Sequence, residues 1–259
     1  MSQVPNLNAL FQAAQADGVL SNTSMQTLNI VDIGAQIQAG LGTPVDDVMA
    51  SEVVLVTIMP DDSGSIRFAG NGAVVRAGHN TVLDTLATSP QQDQILVHNR
   101  YLNGQVLYPY CPVDQAIRMD QHNYDPNLGT PLYDQTLVLL ATVLAKAQSF
   151  IENGVPVRTV SLIITDGADA HSRHSARKVK GMVEDMLRTE DHIIAAMGIE
   201  DGQTDFKQVF REMGLRDQWI LTPGNSQNEI RKAFQLFSQS ALRASQSAAS
   251  FNSLGGFGA

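Results

Sequence analysis

Seven consecutive apolar or β-branched residues, Val53 to Met59, run into Pro60 and then at once into Asp61-Asp62-Ser63-Gly64-Ser65. An apolar run of that length, without alternation, suits a strand buried on both faces, as in a sheet with helices on either side. Sheets of that kind bind ligands just outside the carboxyl ends of their strands. At that position Asp61, Ser63 and Ser65 place short oxygen-bearing side chains at alternate positions of a tight loop. Hard divalent cations such as Mg²⁺ take oxygen ligands in near-octahedral array, so the loop is expected to hold one.

The rest of the chain alternates strand and helix patterns. Leu7 to Ala16 has helical spacing with Leu10, Phe11 and Ala14 on one face, and Asp17-Gly18 breaks it. A second apolar pattern runs from Met25 to Leu41. Residues 1–49 are therefore read as a helical N-terminal extension, packed on the main domain or on another subunit. Ile66 to Ala87 reads as helix, weakened at Gly70 and Gly72. Gln94 to Tyr101 and Val106 to Tyr110 read as strands joined by a two-residue turn at Asn103-Gly104, so one strand should run antiparallel. The polar loop Asp120 to Gly129 precedes a long helix, Leu132 to Asn153, with Thr130 as its N-cap and Pro131 at its first position.

Val157 to Thr165 is another buried strand, and it too ends in an acid, Asp166-Gly167. Further helices are expected over Ser175–Glu190, Asp205–Met213 and Ser226–Ala244, and further strands over His192–Ile199 and Gln218–Leu221. This order implies an α/β, doubly wound sheet over residues 50–245. Residues 246–259, rich in Ser, Ala and Gly, read as a flexible tail.

Composition removes several function classes. The formal net charge is −9, which argues against a basic stripe for nucleic acid, and no Lys/Arg cluster suits an anionic membrane surface. The single cysteine, Cys111, excludes an intrachain disulfide and a zinc site built from several thiolates. That usage fits a reducing cytoplasm, the expected location. The first residues lack a basic region followed by a long apolar run, so no secretory signal is expected, and no stretch approaches the ~18 apolar residues of a membrane span.

Three pieces are expected to meet at one edge of the sheet: Asp61-x-Ser63-x-Ser65, Gly129-Thr130-Pro131, and Thr165-Asp166-Gly167. Asp61, Ser63, Ser65, Thr130 and Asp166 together supply two carboxylates and three hydroxyls. With these motifs the chain resembles a von Willebrand factor A (vWA) domain carrying a metal-ion-dependent adhesion site. GTPLYDQTL and LIITDG are most similar to bacterial intracellular vWA proteins, including the tellurite-resistance-associated type. The resemblance implies a Rossmann-like, mostly parallel sheet with one short antiparallel strand and helices on both faces. It implies that Ser63, Ser65 and Thr130 contact Mg²⁺, with Mn²⁺ or Ca²⁺ as alternatives, and that Asp61 and Asp166 act largely through water. An Asp or Glu of a protein partner would fill the open position, within an assembly such as one built around an AAA+ ATPase or a stress-response complex.

Asp125, Asp169, His171, Arg173 and His174 are the candidate partner contacts. Asp120, His122 and Tyr124 should also rim the site, and Asp169 with the two histidines offers a second metal site. Arg67 is placed for a local salt bridge. The chain is read as a binding module and not an enzyme, because a phosphatase of similar architecture needs a second Asp where Ser63 stands. The alternative is a scaffold assembling through the N-terminal helices, with a vestigial metal site.

Overall fold

The computed structural model describes residues 6–28 and 30–257. In it Val53–Met59 (β1) is buried along its whole length near the middle of a six-stranded sheet. Ile95–Arg100 (β2), Val106–Pro112 (β3), Val157–Thr165 (β4), His192–Gly198 (β5) and Ile220–Leu221 (β6) complete it. The order is β3-β2-β1-β4-β5-β6, and all neighbours are parallel except β2 and β3. The nearly unbroken apolar run of β1 follows from burial on both sides. Val54, Val56 and Ile58 point to one core, while Val53, Leu55 and Met59 point to the opposite face.

Gly72–Leu86 (α5) and Gln227–Gln246 (α9) cover the first of these faces. Leu132–Ile151 (α6), Ala176–Leu187 (α7) and Phe206–Glu212 (α8) cover the other. Three N-terminal helices, Leu7–Ala16, Asn22–Thr27 and Ile30–Leu41, lie on that second face. Leu10, Phe11, Ile37 and Leu41 share one apolar core with Val138, Leu139 and Met182. Polar clasps fasten the extension: Ser21 N donates to Asp185, Gln148 donates to Asp17, and Lys146 Nζ donates to the Thr43 carbonyl. The extension therefore packs on its own domain.

Four local expectations need correction. The helix expected over Ile66–Ala87 is two helices, Gly64–Phe68 (α4) and α5, because Gly70 adopts φ +75° and ends the first. The hairpin turn is a three-residue loop, with Tyr101 N bonded to Gln105 O and Gly104 at φ +94°. Pro131, not Thr130, occupies the N-cap position of α6. The tail expected to be flexible is anchored on the domain through Phe251, which is buried, and Phe257, whose ring meets Trp219 edge-on at 5.2 Å. No described helix is long and apolar enough to cross a membrane.

A candidate cation site at the carboxyl edge of the sheet

Because β1 and β4 are parallel neighbours with Met59 opposite Ile163, the loops that follow them emerge side by side. Asp61 leaves β1 fully buried. One of its carboxylate oxygens accepts from Ser63 N and the other from Thr165 Oγ1, both at 2.7 Å. The Asp61 carbonyl accepts from the Tyr124 hydroxyl. Ser63 and Ser65 place their Oγ atoms 2.8 Å apart, and Ser65 Oγ donates to Asp166 Oδ1 at 2.5 Å. Asp61, Ser63, Ser65 and Asp166 thus form one linked group, with Ser65 at its exposed end.

Thr130 reaches the same edge through its backbone neighbours. Leu128 forms a β-bridge with Ser63 and accepts from Gly64 N at 3.1 Å, and the Thr130 carbonyl accepts from Ala170 N at 2.8 Å. The first turn of α6 is capped from the loop after β4: Tyr133 N donates to Asp169 Oδ1 and Ser172 Oγ, and Asp134 N donates to Ser172 Oγ. Thr130 is therefore not needed for capping, although its side chain is buried.

The electrostatics are unusual for a surface loop. Burial pushes Asp62 and Asp166 up to about 6 and raises Asp61. In Asp166 the hydrogen bond from Ser65 offsets part of this and the charge of Asp61 adds to it. None of the ion pairs among the described residues involves Asp61, Asp62 or Asp166. Buried carboxylates in this state call for protons or for a cation. No group of three or more His, Cys, Asp or Glu side chains converges as a metal cage among the described residues. A cation here would thus lean on hydroxyl oxygens as well as carboxylates, which suits a hard ion.

The candidate partner residues divide into two groups. His171 and Arg173 are exposed, and His171 adopts φ +79°, rare outside glycine, beside Gly129. Asp125 is exposed and paired with Arg67. Asp169 and His174 instead hold the loop together. Asp169 accepts from Ser172 Oγ at 2.5 Å, and His174 Nδ1 lies 2.7 Å from Asp134, which also accepts from the backbone N–H groups of Arg173 and His174. No second metal cluster forms there among the described residues.

Asp120 bonds the backbone N–H groups of His122 and Asn123, and Tyr124 is buried beneath the loop instead of rimming it. Sequence reasoning passed over Asp62, Asp134 and Ser172. Asp62 accepts from Asn103 N at 3.0 Å, and its carbonyl accepts from Asn127 N and Leu128 N, so it ties three loops together. A second carboxylate in a loop this tight was its one visible signal.

No protein-family model matches the chain, and no curated protein matches it. Solved structures do. The pilus adhesin SpaC from Lactobacillus rhamnosus GG, in an open conformation, is similar with a TM-score of 0.55 at 12% identity, over 75% of this chain and 30% of that one. Proximal thread matrix protein 1 from the mussel byssus gives a TM-score of 0.53 at 16% identity, over 74% and 46%. Another structure of that byssal protein, with a zinc-occupied MIDAS motif, gives 0.48 at 15% identity, over 74% and 46%. The chain thus spans less than half the length of each of these proteins. At such identities the likeness speaks for the fold. That fold is the vWA fold, with a mostly parallel six-stranded sheet and one antiparallel strand.

Proposed function

We propose that the chain is a cation-dependent protein-interaction module and not an enzyme. The observation that carries this reading is the group of buried carboxylates, Asp61 held by Ser63 N and Asp166 by Ser65 Oγ, with the two serine hydroxyls 2.8 Å apart and neither acid in an ion pair among the described residues. Ser63, Ser65 and Thr130 would hold the divalent ion, with Asp61 and Asp166 orienting the hydroxyls and balancing charge. An ion held by so few charged ligands keeps its electrophilic character and supplies a position that takes a carboxylate. The partner group is then an Asp or Glu side chain. Mg²⁺ is the first candidate because few carboxylates disfavour Ca²⁺, and Mn²⁺ shares its geometry.

Ser63 stands where a phosphatase would need its general acid and cannot serve that role. Against the scaffold alternative weighs the packing of the N-terminal helices, whose apolar faces lie against α6 and α7. The sequence resemblance supports an intracellular setting within a larger assembly. Chelator-treated protein titrated with Mg²⁺, Mn²⁺ and Ca²⁺ tests the site. At 100 times Kd, about 2.7 kcal/mol of binding energy should raise the melting midpoint by several degrees. Ser65→Ala should remove that rise, while lowering the ion-free midpoint only by the loss of one hydrogen bond to Asp166, about 1–3 kcal/mol. Melting curves that ignore all three ions would overturn the reading.

A further inference from the structure

Five large apolar side chains are exposed among the described residues, and two of them, Phe68 at 90% and Leu128 at 54%, stand on the rim of the cation site. Both adjoin Gly64. Leu128 accepts from Gly64 N at 3.1 Å and bridges Ser63, while a Cβ on Gly64 would lie 3.6 Å from the Phe68 ring. Gly64 sits between Ser63 and Ser65, so the two apolar groups flank the hydroxyls themselves. Arg67, next to Phe68 in the chain, and Asp125, three residues before Leu128, are paired with each other. The rim beside Gly64 thus carries apolar surface and an already satisfied ion pair. Exposed apolar surface continuous with a polar anchor point is the usual layout of a recognition patch.

We propose that Phe68 and Leu128 read the residue next to the partner's carboxylate, so that the partner segment carries Asp or Glu beside a large apolar side chain. This rests on the cation-site reading above and adds the partner's sequence class to it. The carboxylate would meet the ion, and the neighbouring apolar group would be covered by the Phe68 ring and Leu128, which lose water contact together. Ion binding itself needs neither residue, since Ser63, Ser65, Thr130, Asp61 and Asp166 supply the oxygens.

The full chain loaded with Mn²⁺ is used to select from a randomised peptide display library, with a parallel selection in EDTA. The expected pool is enriched, only with Mn²⁺, in Asp or Glu lying one or two positions from Leu, Ile, Met, Phe, Tyr or Trp. The double variant Phe68→Ser/Leu128→Ser should bind Mn²⁺ within twofold of wild type by calorimetry, yet bind the selected peptide at least tenfold more weakly. A pool rich in acids without apolar neighbours, or equal peptide binding by the double variant, overturns this inference and leaves the cation site standing. A pool without Mn²⁺-dependent acid enrichment overturns both. If the double variant loses Mn²⁺ binding, the two residues belong to the site's own structure and the assignment as readers of the partner fails.

Discussion

Replacing Asp166 by Asn should stabilise the ion-free protein and at the same time make it unresponsive to divalent ions. Asp166 is only 4% exposed, and burial lifts it from an ordinary 3.8 to about 6. A group raised in the folded state costs stability wherever it is ionised, so the cost is complete above about pH 6 and fades as pH falls from 6 to 3.8. At about 1.36 kcal/mol per pH unit, the interval from 3.8 to about 6 corresponds to about 3 kcal/mol. Asn removes that charge and keeps an oxygen to accept the hydrogen bond from Ser65. Urea unfolding in EDTA at pH 7.5 should therefore place the variant up to about 3 kcal/mol above wild type. The gap should close as the pH is lowered through 6 towards 4, and histidine titration cancels because both proteins share it. Added Mg²⁺ or Mn²⁺ should stabilise wild type and leave the variant where it was. A variant less stable than wild type in EDTA, or one that still responds to the ions, would refute the electrostatic account.

The remaining predictions concern the frame around the site. His79, His98 and His192 are buried, and burial lowers them to about 4, 3 and 4. Their contribution is complete above the ordinary 6.5 and is lost as pH falls towards those values, at about 1.4 kcal/mol per pH unit each. His98→Gln should flatten the fall in urea-derived stability between pH 6 and 4 by about that slope, and an unchanged slope would count against it. A Cβ added at Gly78 would lie 2.1 Å from the Phe234 ring, where α5 meets α9, so Gly78→Ala should cost about 1–3 kcal/mol in the same assay. A chain beginning at residue 49 loses the cover of Phe11, Ile37 and Leu41, each worth about 1.5–3 kcal/mol. It should bind a hydrophobic dye and melt without a sharp transition, whereas an unchanged midpoint would mean that the extension is dispensable.

The parallel sheet was readable because its strands are buried on both faces. Val53–Met59 is then apolar at every position but Thr57, and a run of that kind stands out without any alignment, while Val157–Thr165 keeps Val157, Val160, Leu162, Ile163 and Ile164 apolar among the buried Arg158, Thr159, Ser161 and Thr165. The helices were readable where local signals ruled, as at Asp205, whose side chain accepts from Gln208 N at the N-cap of α8. The reading failed where a distant contact decided the outcome. Gln246 onward looked like linker by composition, yet Phe251 and Phe257 find cover on the domain. Two aromatic anchors are too few to outweigh a Ser/Gly-rich background in a compositional judgement.

Thr130 shows the same limit at the site itself. Its place before Pro131 is the usual signature of a capping residue, because Thr before a helix satisfies orphan N–H groups. In the fold those groups are met by Asp169 and Ser172, from a loop more than thirty residues further along the chain. The capping is transferred to the β4 loop, which is also the loop that brings Asp166 to Ser65. One segment therefore closes the start of α6 and delivers a ligand candidate, while the threonine's side chain is released from its ordinary local duty. Local helix rules and cation binding compete for the same small oxygen-bearing residues. Where a second loop takes over the capping, the hydroxyl before the helix is no longer required by the helix backbone.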